Sequence, residues 1–171
     1  MNPGLAYRLN LMLRGTVPAL LTLLLILLVN LRIGLAGLAE VAPQVAMMSV
    51  FYWTVHRPYL MAAPVVFVLG LVEDILLGTP LGLNALALLV ISGIAESQRA
   101  VFVGQAFIVN WVGFTIICGF AVLLTWLMVC LYYLTLIDPT VSLIQLAITI
   151  LLFPLFAAFF TQVRQAVLRL I

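Results

Sequence analysis

Two adjacent carboxylates, Glu73 and Asp74, sit in the run Gly70-Leu71-Val72-Glu73-Asp74-Ile75-Leu76-Leu77-Gly78-Thr79-Pro80-Leu81-Gly82, inside a chain that is 67% hydrophobic and 7% charged. A carboxylate surrounded by hydrocarbon is costly unless it is paired, hydrogen-bonded or close to water, so acids in such a setting are candidates for function. The chemistry open to them is general acid–base work or structural hydrogen bonding. Companions for hydrolysis are missing: His56 is the single histidine, all seven basic residues are arginine, and neither H-E-x-x-H nor Gly-x-Ser-x-Gly occurs. Enzymatic proteolysis or lipid transfer would therefore rest on Glu73 and Asp74 alone, and the chain is read as a non-enzyme without cofactor or metal. Cys118 and Cys130 lie 12 residues apart in one apolar run, without metal-ligand companions, and are read as ordinary free thiols.

The spacing around the acids predicts a tight helical hairpin. One helix should end near Leu77 with Gly78 as its stop, and the next should open with Thr79 as N-cap and Pro80 at the first helical position. Asp74 then lies in the last turn of the first helix, where the helix dipole disfavours a negative charge. Its donors should be the Thr79 hydroxyl and the free N–H groups of Leu81 and Gly82, so that Asp74 folds back and braces the hairpin. Gly82 is expected to leave room for the two backbones to approach, and Glu73 to be the more solvated acid. Gly70, Glu73, Asp74, Gly78, Thr79, Pro80, Gly82 and Asn84 together form the candidate structural and partner-binding hairpin.

The elements that must hold this turn are membrane helices. A mean hydropathy of +1.36 and 171 residues allow five or six spans and no separate soluble domain. The predicted fold is an all-α polytopic bundle of six transmembrane helices in one domain over 1–171, with spans at about 15–35, 41–55, 58–77, 80–96, 101–136 and 139–164. The 38 uncharged residues between Arg99 and Asp138 are read as one long tilted helix, and Pro154 as a kink in the last span. The first apolar run is read as an uncleaved span, because the small residues after it lack A-x-A spacing. Spans two and three are short and joined by His56-Arg57-Pro58, which suggests a hairpin at the centre of the bundle.

Six spans with an internal N-terminus place Arg8, Arg14, Arg57, Arg99, Arg164 and Arg169 on the cytoplasmic face and Arg32 alone outside, as the distribution of positive charge requires. Glu40, Glu73, Asp74 and Asp138 then fall outside and Glu96 inside. Trp53 is expected at the inner interface, Tyr132 and Tyr133 at the outer one, and His56 as a solvated turn residue. Arg32 is a candidate partner for Glu40 or for the acidic pair. The sparse positive charge excludes nucleic acid as a partner and leaves membrane lipid. Asn84, Gln105, Asn110 and Gln145 are read as hydrogen-bonding glue between helices, and Gly104, Gly113 and Gly119 as points on the long helix where another helix could approach. Trp53, Pro58, Gly104 and Gly113 are the interface candidates.

The pattern Phe51-Tyr52-Trp53, Pro58, then Gly70-Leu71-x-x-Asp74-Ile75-Leu76-x-Gly78-x-Pro80-Leu81-Gly82-x-x-Ala85-Leu86 resembles the signature of the MreD family of bacterial rod-shape-determining membrane proteins, most specifically from Pro43 to Glu96. The resemblance implies a scaffold of the cell-elongation complex in the inner membrane. It would bind the bitopic protein MreC directly and, through it, the MreB filament and the peptidoglycan glycosyltransferase and transpeptidase. It also implies a fold similar to the substrate-binding component of energy-coupling-factor transporters. The alternative is a small-solute-binding membrane component or transporter subunit.

Overall fold

A computed structural model describes residues 17–30 and 42–169 of the chain. Among them the backbone forms α1 (Val17–Asn30), α2 (Val45–His56), a 3-10 turn (Pro58–Leu60), α3 (Ala63–Leu77), α4 (Leu83–Ser97), α5 (Arg99–Phe102), α6 (Phe107–Tyr133) and α7 (Thr140–Arg169), with no strand. Arg8, Arg14, Arg32 and Glu40 lie outside the described residues.

Helix α2 is apolar all round, which leaves it one stable location. Every one of its 12 residues except His56 is buried. At about 1.5 Å per residue it is about 18 Å long, well short of the ~30 Å hydrocarbon core, so it is solvated by protein on all sides. Phe51 forms its hub, meeting Phe102, Phe114 and Phe153 edge-on at 5.6, 5.3 and 5.9 Å, while Phe114 and Phe153 stack at 4.1 Å. The surrounding helices each turn one stripe inward: Pro18, Thr22 and Ile26 of α1, Phe114, Ile117, Cys118 and Ala121 of α6, and Thr149, Phe153, Ala157 and Phe160 of α7. These spacings of three and four are the helical period.

Threonines answer three polar groups on α2 or just before it. Thr22, Thr149 and Thr161 each donate their hydroxyl to the carbonyl four residues back, on Pro18, Gln145 and Ala157. Their oxygens are thereby left to accept, from the Ser49 hydroxyl at 2.6 Å, the Gln44 N–H at 3.0 Å and the Tyr52 hydroxyl at 2.9 Å. Gln145 adds a bond from its side-chain amide to the Ala42 carbonyl at 2.9 Å.

The same contacts fix directions. Gln44 and Tyr52 meet Thr149 and Thr161, so α2 and α7 are parallel; Met47 and Phe51 meet Cys118 and Phe114, so α6 is antiparallel to them. The six longer helices thus alternate in direction. Arg57, Arg99 and Arg164 gather at one end of the bundle, and Glu73, Asp74 and Asp138 at the other.

Two helices, Phe107–Tyr133 and Thr140–Ala166, are long and apolar enough to cross a membrane by themselves. Both present wide apolar faces outward, including Ile116, Phe120 and Leu123 of α6 and Leu151, Leu155 and Phe159 of α7. The remaining helices are shorter than the expected spans. The hairpin expected at the centre is also revised: α2 is central, but α3 lies at the periphery against α4, exposing Phe67, Val68, Ile75 and Leu76. The 3-10 turn at Pro58 and the bend at Met61 and Ala62 let α3 swing off α2 onto its neighbour.

Pro154 lies inside α7 and cannot donate to the Ile150 carbonyl one turn back. The indole N–H of Trp111 on α6 supplies that bond at 3.0 Å, so a helix defect becomes a tie between the two longest helices.

Candidate functional site

Asp74 organises both sides of the α3–α4 turn. Its backbone carbonyl closes α3 by accepting the N–H groups of Gly78 and Thr79. Its carboxylate opens α4: Oδ1 accepts from the Thr79 hydroxyl at 2.8 Å, the Asn84 N–H at 2.9 Å and the Asn84 side-chain amide at 3.0 Å, and Oδ2 accepts from the Gly82 N–H at 2.8 Å. Four donors on a fully buried carboxylate offset the loss of water and the unfavourable helix end. Asn84 also donates to the Thr79 oxygen at 3.2 Å, which closes the network.

The turn differs from the expected one in three respects. Helix α4 starts at Leu83, not at Pro80, because Pro80, Leu81 and Gly82 are used to bring two N–H groups onto Asp74. The second backbone donor is accordingly Asn84, not Leu81. Gly82 is required for its backbone, at φ +98°, and a Cβ there would meet nothing within 4 Å. The close approach belongs to Gly70, where an added Cβ would lie 2.3 Å from the Ala85 Cα. Gly78 stops α3 in the left-handed conformation, at φ +65°.

Glu73 is buried to 8% exposure, and among the described residues no donor pairs with it. It opens onto a cavity of about 230 Å³ where α1, α3, α4, α6, α7 and the segment before α2 converge. Asn30, Gln44, Asn84, Trp126 and Gln145 line the same space. Beside it, Asp138 accepts from the hydroxyl and N–H of Thr140 at the start of α7, which holds its carboxyl below the usual range.

The other candidates are placed elsewhere. Trp53 is buried against Tyr52 and Phe160, with its indole N–H unpartnered among the described residues, since α2 is sheathed where an interfacial position was expected. Pro58 starts the 3-10 turn at the arginine-bearing end, half-buried. His56 is half-buried too, where a solvated position was expected: its Nδ1 lies 2.9 Å from the Tyr52 carbonyl and its ring stacks on Tyr52 at 4.3 Å. Arg99 reaches across to donate to the Val55 carbonyl at 3.0 Å, capping the C-terminus of α2. Gly104 is not on the long helix; at φ +81° it forms the break between α5 and α6. Gly113 faces Phe102 of this same chain, whose ring would lie 2.2 Å from an added Cβ, and Gly119 has no neighbour within 4 Å among the described residues. Gln105 and Asn110 border a second cavity of about 190 Å³ near His56. Sequence reasoning missed Thr22, Thr149 and Thr161, although a threonine on the buried stripe of an apolar helix was the available signal.

Cys118 and Cys130 are both free, with the Cys118 thiol 3.7 Å from the Met47 sulfur. Among the described residues no group of three or more His, Cys, Asp or Glu is arranged to hold a metal ion. The family model described as rod shape-determining protein MreD matches residues 8–163. No curated protein and no solved structure matches the chain.

Proposed function

Since this chain belongs to the MreD family of rod shape-determining proteins, we propose that it is a non-enzymatic membrane scaffold of the cell-elongation complex that binds the bitopic protein MreC. The MreB filament and the peptidoglycan glycosyltransferase and transpeptidase would be engaged through that partner. All six longer helices would cross or line the inner membrane, with both chain ends in the cytoplasm and a fold like that of the energy-coupling-factor substrate-binding component. The arginine end of the bundle would face the cytoplasm and the acidic end the outside.

The observation that carries the scaffold reading is the enclosure of Asp74 among donors of its own hairpin. An acid that accepts four donors and is fully buried is committed to holding a turn and presents no accessible oxygen to a substrate. What this turn holds is a rigid α3–α4 pair whose outer side exposes Phe67, Val68, Ile75 and Leu81. The cavity beside Glu73 favours the alternative of a solute-binding component, which predicts stabilisation by one small molecule without any partner. Copurification in mild detergent separates the two. A scaffold brings down the bitopic partner in fixed ratio, and Ile75→Arg or Val68→Arg removes the partner while the protein remains in the membrane; a folded chain recovered alone would overturn the proposal.

A further inference from the structure

We infer that the cavity beside Glu73 is a binding site for a primary ammonium group carried on a small apolar body. Donors and acceptors around this cavity are out of balance. Most side-chain donor groups around the cavity, the Ser142 hydroxyl excepted, already have an acceptor: Asn30 donates to the Ile26 carbonyl, Thr125 to Ala121, Trp126 to Ile137, Gln145 to Ala42, and the Asn84 amide to Asp74 and Thr79. The acceptors are not. Glu73 is more than nine-tenths buried and meets no donor among the described residues, and the Gln44 side-chain oxygen is buried without one.

Buried acceptors without donors are expensive, and a buried carboxylate most of all. A ligand that repairs the deficit must bring N–H groups and positive charge together, which a primary ammonium does with three donors. A quaternary ammonium brings charge without donors, and an alcohol brings a donor without charge. The rest of the wall is apolar, including Ile26, Val29 and Val122, so the body of the ligand is hydrocarbon-like. A volume of about 230 Å³ exceeds the ~150 Å³ that admits benzene in an engineered protein cavity. A free short alkylamine and the ethanolamine headgroup of a phospholipid share this chemistry. The site is on the acidic side of the α3–α4 turn and does not use the exposed face of α3, so its occupancy and partner binding are separable.

Thermal unfolding of the purified full chain tests the assignment. In detergent, n-butylamine or ethanolamine at ten times its Kd should raise Tm by about 3–6 °C, while n-butanol, tetramethylammonium and sodium chloride leave it unchanged. In nanodiscs, a higher Tm in phosphatidylethanolamine than in phosphatidylcholine, with no further gain from free amine, identifies the headgroup as the source; equal Tm in the two lipids with a gain from free amine identifies the soluble ligand. Glu73→Gln should abolish the response and leave the Asp74 network in place. Val122→Phe, which fills the apolar wall with Glu73 intact, should abolish it as well and decides the matter if Glu73→Gln does not fold. Absence of any shift with amines or phosphatidylethanolamine, an equal shift with butanol or tetramethylammonium, or a wild-type response in Val122→Phe overturns the inference.

Discussion

Asp74 and Glu73 are neighbours in sequence with opposite fates, and helix geometry is the cause. Successive residues on a helix point about 100° apart, so one carboxylate turns into the hairpin and the other toward the cavity. Asp74→Ala leaves the N–H groups of Gly82 and Asn84 buried without an acceptor. That should cost about 3 kcal/mol or more and lower Tm by roughly 6–12 °C. Asp74→Asn keeps one oxygen for these donors and turns the other position into a donor, so its loss should be about half as large. Unfolding of both variants in the same detergent checks this, and equal, wild-type stability of the two would contradict the brace. The fold-back of Asp74 onto the start of the next helix, with bonds from Thr79 and Gly82, was legible in the sequence, because donor and acceptor lie within ten residues of one another and the stop signals are local. The threonine acceptors of α2 were not legible. Their partners are 27 to 109 residues away, a pairing that no local pattern encodes.

Element boundaries followed local chemistry where that chemistry acts alone. Gly78 ends α3, and a long helix occupies the uncharged stretch after Arg99, although it begins at Phe107 once Gly104 has broken the chain. Proline signals were less transferable. Pro80 was compatible with a first helical position, but satisfying Asp74 drew the start of α4 three residues onward. Pro154 was legible as a defect in the last helix; that Trp111 would repair it was not, since the two are joined by packing between helices. Trp111→Phe should orphan the Ile150 carbonyl and cost about 1–2 kcal/mol. In a Pro154→Ala background the backbone itself supplies the missing bond, so the same substitution should cost much less. A double-mutant cycle on thermal or denaturant unfolding measures the difference, and equal costs in both backgrounds would show that the indole does not serve this carbonyl.

At the scale of the molecule, composition together with long uninterrupted apolar runs was enough for a helical membrane protein, because the other structure that satisfies its backbone in hydrocarbon, a closed barrel, needs strands that alternate apolar and polar residues. Charge placement gave an alternating order of helices, and the structure gathers Arg57, Arg99 and Arg164 at one end and the acidic turn at the other. The shortness of span two also pointed to burial within protein. Which short helix occupies the centre was not legible, since α2 and α3 are similarly apolar; the aromatic hub at Phe51 and the threonine acceptors decide for α2. With α2 enclosed, α3 is freed for the outside, where the Asp74 turn fixes it against α4. The central claim, that this braced pair is a docking platform for a single-span partner, is tested most directly by a photocrosslinking scan in intact membranes. Probes at Phe67, Val68, Ile75 and Leu81 are predicted to capture the bitopic partner, with probes at Ile116, Leu123, Leu151 and Leu155 on α6 and α7 capturing lipid. Partner adducts confined to α6 and α7, or none at any position while the partner is present, would contradict the account.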